Sequence, residues 1–115
     1  MYKRQVHEYS SIVGSKLFDA GVNIGAHRAS VYLQKVLNAF NRNQILYPDI
    51  KVDGKVGDVT LSALDSFLQY RGHAGDFVMA KAICCFQGEF YLFLSQKKPS
   101  QEDFVYGWID KRIVL

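Results

Sequence analysis

The sequence predicts an all-α domain of about five helices with a short extended or hairpin insertion near residues 44–57. Apolar residues recur at helical spacing through most of the chain, which is typical of helices that bury one stripe. A proline and an Asp-Gly dipeptide interrupt this pattern within the insertion. With 115 residues, 49% of them hydrophobic, the chain is long enough to bury one core and too short for two domains.

The first helix is predicted over residues 10–24 and the second over about 26–41. Gly25 separates them, because glycine just past the last helical residue commonly ends a helix. The inward-facing positions are Val13, Leu17, Ala20 and Ile24 in the first helix, and Ala29, Leu33, Val36, Leu37 and Phe40 in the second.

Beyond Pro48, Ile50 and Val52 alternate with charged residues, which predicts the extended segment ahead of the turn. A third helix is expected over residues 59–70, with Asp58 as its cap. Its predicted inward stripe is Leu61, Leu64 and Leu68.

Residues 76–96 are apolar nearly all round, which predicts a central buried helix. Within it, Gln87 stands alone among apolar neighbours and is expected to be buried and hydrogen-bonded. The last helix begins near residues 100–103, where a serine and two acids favour a helix start. Its predicted inward residues are Phe104, Val105, Trp108 and Ile109.

Composition excludes several classes of function. Residues 1–5, MYKRQ, resemble the translated end of a sequencing adapter and are set aside as an artefact. Without the two basic residues among them, the formal charge falls from +3 to +1, too little to favour nucleic acid or an anionic membrane. No apolar run is expected to be long enough to span a membrane, and no signal peptide is recognised.

Neither a metal nor another cofactor is predicted. Cys84 and Cys85 are adjacent, which disfavours a mutual disulfide, and both are expected to be small buried hydrophobic residues. The three histidines, at positions 7, 27 and 73, lack metal-ligand spacing with one another or with the cysteines.

Asp19 and Asn23 are four residues apart in the first predicted helix, so they share a face, and Lys16 precedes Asp19 by three. A carboxylate, an amide and an ammonium at the edge of a buried stripe can hold a polar ligand. The alternative is structural: Asp19 pairs with Lys16 or a backbone group, and Asn23 stabilises the turn at Gly25.

Four ordered motifs carry a resemblance to a known family: LFDAGVNIGAHRASVYLQKVLN, DGKVGDVTLSAL, QGEFYLFL and PSQEDFVYGWIDKR. Together they resemble the phage-type murein hydrolases of glycoside hydrolase family 108, also labelled secretion activators, which belong to the lysozyme-like superfamily. Those proteins end in a predicted peptidoglycan-binding region. The resemblance runs from Ile12 to Ile113.

The resemblance implies a role for specific positions. Matches to the family's D-x-x-V-N-x-G and Leu-Gln motifs imply substrate binding by Asp19, Asn23, Gly25 and Gln34, and Tyr106 is added as an exposed aromatic residue able to stack on a sugar ring. Two further matches imply structural roles. The family's cell-wall loop, within DGKVGDVTLSAL, is matched by Asp53, Gly54, Gly57 and Thr60. Its closing motif, within PSQEDFVYGWIDKR, is matched by Phe104, Gly107, Trp108 and Arg112. The loop residues suit a structural brace at least as well as a ligand contact, and Trp108 suits a core position.

One departure from the family concerns catalysis. Its members carry a catalytic glutamate in a Glu-Gly-Gly-Tyr motif, which these 115 residues lack. Glycoside hydrolysis commonly needs a carboxylic acid beside the scissile bond and a second carboxylate. Among the glutamates, Glu8 lies in a polar stretch, Glu102 is a first-turn acid, and Glu89 has no second acid near it in sequence. No catalytic residue is therefore predicted, and the chain alone is expected to be inactive.

The sequence is thus interpreted as the C-terminal portion of a lysozyme-like N-acetylmuramidase, or endolysin. Residues 6–25 would end its catalytic region and residues 26–115 would bind peptidoglycan. The expected partners are glycan strands and the missing N-terminal catalytic segment. We expect synthesis in the cytoplasm of a bacterium or phage-infected cell and action at the cell wall or periplasm.

Two alternatives remain open at this point. The chain is a stand-alone, non-catalytic peptidoglycan-binding module, or it is a structural helical adaptor. The adaptor alternative predicts a protein-binding patch that includes Tyr106, Arg28 and Lys35.

Overall fold

The structure, a computed structural model, describes the backbone of residues 2–113 and the side chains of residues 6–113. Helices form all the regular structure of these residues, with no strand among them, so the predicted all-α class is confirmed. The elements are α1 (Tyr2–Tyr9), α2 (Ser11–Ile24), α3 (Ala26–Ala39), α4 (Asp58–Arg71), α5 (His73–Lys97), a 3₁₀ turn η1 (Pro99–Gln101) and α6 (Glu102–Arg112).

Helix α1 was not predicted, because half of it falls on the five residues set aside. The side chains of those five lie outside the described ones, so the adapter origin of residues 1–5 stays a prediction. The described chain divides into two compact units, residues 1–83 (the N-terminal unit) and 84–115 (the C-terminal unit). The boundary expected after residue 25 likewise stays a prediction.

In the N-terminal unit, α1 packs on α2 and α4, α2 on α3, and α3 on α4. The Ser10 side chain caps α2 by accepting a hydrogen bond from the Val13 N–H at 3.1 Å. Gly25 then separates α2 from α3 with a φ of 99°, in the region that favours glycine. The predicted stripe of α2 is confirmed, since Val13, Leu17, Ala20 and Ile24 are all buried.

Helices α3 and α4 depart from the prediction in detail. In α3 the predicted stripe is buried except for Phe40, which is half-buried and stacks on Phe67 of α4 with ring centroids 5.6 Å apart. Phe67 is buried in place of Leu68. Asp58 is the first residue of α4 rather than its cap, so its carboxylate lies in the first turn, where the helix dipole favours it.

The insertion between α3 and α4 lies where predicted, but no hairpin forms. Its backbone pairs with side chains of α3 instead of with a second strand: Asn38 donates to the Ile50 carbonyl at 2.9 Å and accepts from the Ile50 N–H at 2.8 Å. Ahead of this contact, Arg42, Asn43 and Gln44 all have positive φ, which turns the chain sharply after α3. Of the two predicted forms, the extended segment is therefore found, and α3 holds it.

Helix α5 is apolar on several sides, but it is not buried all round as predicted. Phe77, in the N-terminal unit, is 60% exposed, and Leu92, in the C-terminal unit, is 53% exposed. Cys84 is buried as expected, whereas Cys85 is exposed. The apolar sequence of α5 thus predicted more burial than the structure shows, because the other described residues cover only part of the helix surface.

By length and composition alone, α5 is able to cross a membrane, which corrects the expectation that no apolar run is long enough. Only 28% of its most apolar stretch is buried, and one such helix is weak evidence for a membrane span. The expected absence of a membrane partner stays a prediction.

The C-terminal unit contains the second half of α5, η1 and α6. Within α6, Val105 is buried and Trp108 and Ile109 are half-buried, but Phe104 is 55% exposed, so its predicted inward position is wrong. Phe104 instead stacks on one side of Trp108, with ring centroids 6.1 Å apart. The Trp108 ring packs on Tyr91 of α5, with ring centroids 5.3 Å apart, so this aromatic pair joins α6 to α5.

Candidate functional site

The predicted polar cluster of α2 forms, and its contacts are local. The Asn23 side chain donates to the Asp19 backbone carbonyl at 2.9 Å and lies 3.5 Å from its carboxylate. Lys16 Nζ lies 3.8 Å from the Asp19 carboxylate, of which 53% is exposed. The pairing of Asp19 with Lys16 agrees with the structural alternative, whereas Asn23 bonds a carbonyl within α2 rather than the turn at Gly25. The role of Asp19, Asn23 and Gly25 in substrate binding stays a prediction.

Gln34 of α3 occupies the centre of a second cluster, in which it is fully buried. Its Nε2 donates to the Asp53 carboxylate at 3.1 Å, the Lys55 carbonyl at 3.0 Å and the Thr60 hydroxyl at 3.1 Å. Its Oε1 accepts from the N–H groups of Asp53 at 3.0 Å and Gly54 at 2.8 Å. One amide thus ties the start of α4 and the 53–55 turn to α3, and a substrate could reach Gln34 only if this turn opened.

Asp53 also stabilises its own turn. Its carboxylate accepts a hydrogen bond from the Lys55 N–H at 2.9 Å. This backbone bond, and after it the bond from Gln34, lower the pKa of Asp53 below its ordinary value, because both donors favour the charged carboxylate. The turn is therefore built around an ionised aspartate.

Gly54 meets two requirements of this turn. Its φ is 76°, and a Cβ at this position would overlap with the imidazole ring of His27. Gly57 immediately precedes α4, and Thr60 is buried in the first turn of that helix. Together with Gln34, the predicted motif residues Asp53, Gly54 and Thr60 are brought together as a structural brace.

Two other amides, Asn38 of α3 and Asn41 just beyond its end, also hold the insertion and were not predicted to do so. Asn38 holds Ile50, and Asn41 donates to the Asp49 carboxylate at 2.6 Å while accepting from the Gln44 N–H at 3.0 Å. Their spacing in the sequence could have revealed this role. Gln34, Asn38 and Asn41 follow one another at i, i+4 and i+7, the spacing of residues that share one helix face.

A groove of about 650 Å³ lies in the C-terminal unit, between α5 and α6. Its volume falls within the range of about 300–1,000 Å³ that is usual for small-molecule sites. Tyr106 stands at this groove with 84% of its surface exposed. The groove is lined by Leu92 and Ser95 of α5 and by Glu102, Val105, Tyr106, Ile109 and Asp110 of α6.

The closing-motif residues Phe104, Gly107, Trp108 and Arg112 do not line this groove. The Arg112 guanidinium is 5.4 Å from the Trp108 ring centroid and 5.8 Å from that of Tyr91, within the range of a cation–π contact. Phe104, Trp108 and Arg112 therefore form an aromatic and cationic cluster with α5. A Cβ at Gly107 would meet nothing within 4 Å, so nothing in the structure explains glycine at that position.

Gln87, which was expected to be buried and hydrogen-bonded, is fully buried and donates to the Tyr91 hydroxyl oxygen at 2.7 Å. Its Oε1 accepts no hydrogen bond from the described residues. Among those same residues, no group of three or more His, Cys, Asp or Glu side chains is arranged to hold a metal ion.

A smaller groove of about 270 Å³ lies in the N-terminal unit, beside the start of α4, and Tyr47 lies at its base. The Tyr47 hydroxyl donates to the Leu37 carbonyl at 2.8 Å, and burial raises the pKa of Tyr47 to about 12 despite the opposing charge of Arg71. Tyr47 thus anchors the insertion to α3 as a neutral phenol.

Residues 28–113 match the family model described as the predicted peptidoglycan domain. The chain belongs to this family. The match includes the Gln34 brace and the α5–α6 groove, whereas Lys16, Asp19 and Asn23 precede it. A search of curated proteins found no matching relative. Membership in the predicted peptidoglycan domain family supports peptidoglycan as the binding partner.

Proposed function

We propose that this chain binds peptidoglycan through the α5–α6 groove, as the wall-binding portion of a lysozyme-like N-acetylmuramidase of glycoside hydrolase family 108. The match of residues 28–113 to the predicted peptidoglycan domain carries the proposal of wall binding. The four ordered motifs support the finer assignment to a phage-type endolysin or secretion activator. On this proposal the protein acts at the bacterial cell wall or periplasm.

The groove is the part of the described chain best suited to bind the polymer. Leu92, Val105 and Ile109 give it an apolar lining, and the exposed ring of Tyr106 can pack against a sugar ring or an alkyl chain. By contrast, the Gln34 brace has its polar atoms buried and hydrogen-bonded within the fold. The proposed site therefore uses side chains that the closing motif does not specify.

The chain's own acids do not supply the family's catalytic arrangement. No Glu-Gly-Gly-Tyr motif is present, and the groove acids Glu102 and Asp110 lie eight residues apart on one helix, about 12 Å along its axis. In the usual glycosidases the carboxyl groups are about 5–9.5 Å apart, whereas these two side chains start from backbone positions about 12 Å apart. The proposed role of these residues is accordingly binding, with hydrolysis assigned to the catalytic segment of the parent enzyme.

Co-sedimentation of the 115-residue chain with insoluble peptidoglycan sacculi tests this function. Tyr106→Ala should weaken binding about tenfold, since burying an aromatic side chain against a ligand contributes roughly 1.5–3 kcal/mol. Tyr9→Ala is the matched control, because Tyr9 is 46% exposed and lies on α1. Wild-type protein that stays in the supernatant would refute wall binding, and equal losses in both variants would refute the groove. Released sugar would show that the chain itself is a hydrolase.

A further inference from the structure

The three polar residues Glu102, Tyr106 and Asp110 of the groove follow one another at intervals of four along α6. Residues at this spacing share one helix face and are about 6 Å apart along the axis. Tyr106 therefore stands between two carboxylates, one turn to either side. Leu92 and Ile109 contribute apolar surface to the same groove.

The charge of this groove is one-sided. Its lining includes two carboxylates and no basic side chain. The described cation nearest to it in sequence is Lys111, whose Nζ lies 3.7 Å from the Asp110 carboxylate and whose side chain is 82% exposed. Such an exposed pair is weak, so Lys111 leaves Asp110 available to a ligand cation.

This combination favours a ligand with a positive charge on an alkyl chain. Carboxylates form charge-assisted hydrogen bonds with an ammonium, and the face of Tyr106 attracts the same charge. An apolar lining suits the methylene groups that lead to it. A phosphate or carboxylate ligand would be repelled by Glu102 and Asp110.

Peptidoglycan contains one group of this description. Its glycan strands carry hydroxyl and N-acetyl groups, whereas stem peptides of the lysine type include a diamino acid whose side chain ends in an ammonium until cross-linking converts it to an amide. We infer, resting on the proposed function, that the α5–α6 groove binds this free ammonium and so prefers uncross-linked peptidoglycan. The alkyl chain of the diamino acid then lies on Leu92, Val105 and Ile109.

The test compares two forms of one wall preparation: untreated sacculi and sacculi whose free amines have been acetylated with acetic anhydride. Acetylation removes the charge and leaves the polymer backbone intact, so the dissociation constant of the wild-type chain should rise about tenfold or more. In solution, the tripeptide L-Ala-γ-D-Glu-L-Lys should bind, and its Nε-acetyl form should bind at least tenfold more weakly.

Variants test the same contact from the side of the protein. Glu102→Gln and Asp110→Asn should each weaken binding to untreated sacculi several-fold and leave binding to acetylated sacculi unchanged. Asp103→Asn is the matched control, because Asp103 is an exposed acid in the first turn of α6 that does not line the groove. All three positions are exposed, and circular dichroism checks that the variants retain their helices.

The outcomes separate the two proposals. If the wild-type chain binds untreated and acetylated sacculi equally and the groove variants match Asp103→Asn, the ammonium assignment is wrong and wall binding stands. If the chain binds neither preparation, both proposals fail.

Discussion

Replacing Gln34 with leucine should remove the centre of the brace while keeping the side chain's approximate volume. The amide makes five hydrogen bonds, three through Nε2 and two through Oε1. At a net value of about 0.5–1.5 kcal/mol for each, their sum is roughly 2.5–7.5 kcal/mol. The 53–55 turn lies at the surface, so water can satisfy part of what is lost. We therefore expect a loss of about 3 kcal/mol in the free energy of unfolding.

Urea unfolding followed by far-ultraviolet circular dichroism measures this loss, because the helices report on the whole fold. Gln69→Leu is the matched control, since Gln69 is exposed and its side chain donates to the Asp65 carboxylate at 3.0 Å, on the surface of α4. Its expected effect is within about 0.5 kcal/mol. Amide hydrogen exchange at Gly54 gives a local measurement, and its protection should fall with Gln34→Leu.

A loss below about 1 kcal/mol, with unchanged protection at Gly54, would refute the brace. It would mean that the 53–55 turn keeps its conformation without the amide, through the Asp53 to Lys55 bond alone. Gln34 would then be free to serve a ligand, as its motif match implied.

Three further predictions concern titration and backbone conformation. The depressed pKa of Asp53 stabilises the fold above about pH 4 and this contribution is lost as the pH falls through the folded-state pKa, so urea midpoints should decline less steeply toward pH 3 in Asp53→Asn. The pKa of Tyr47 is raised from 10.0 to about 12, so its effect on stability has the opposite dependence on pH. Its contribution to the free energy of unfolding is present below pH 10 and lost toward pH 12, and Tyr47→Phe should flatten this alkaline decline. Gly25→Ala should lower the free energy of unfolding by about 1–3 kcal/mol because φ is 99°, whereas Gly107→Ala should raise it by about 0.5–1 kcal/mol because Gly107 lies inside α6 with room for a Cβ, as thermal melts can verify.

The local rules of helix formation were sufficient for α2 and for its boundary with α3. The stripe of α2 and the break at Gly25 depend only on spacing and on glycine's conformational freedom, and both are found in the structure. The extended form of the insertion is found and the hairpin form is not, because the alternation at Ile50 and Val52 predicts an extended backbone without specifying its hydrogen-bond partner. That partner, Asn38, is a side chain twelve residues away from Ile50.

The C-terminal unit was harder to predict for a different reason. Helix α5 has apolar residues on several faces, so its sequence does not specify which face is covered. Phe104 has the spacing of an inward residue but is 55% exposed, because Trp108 fills the contact with Tyr91. Tyr106 was predicted as an exposed aromatic residue. Its neighbours Glu102 and Asp110 were not predicted as binding residues, because the groove that they share with α5 is visible only in the structure.

The loop motif around Asp53 supports the fold, and the proposed ligand contacts lie elsewhere. Asp53, Gly54 and Thr60 surround Gln34, where each substitution would disturb a shared set of hydrogen bonds. The groove side chains Glu102, Tyr106 and Asp110 are exposed, and exchanging them changes charge and shape with little effect on the helix. On our proposal, a protein of this architecture can therefore acquire a different preference within the cell wall while its defining motif stays the same. The loop motif then identifies the fold, whereas the ligand has to be inferred from the side chains on the groove face of α6.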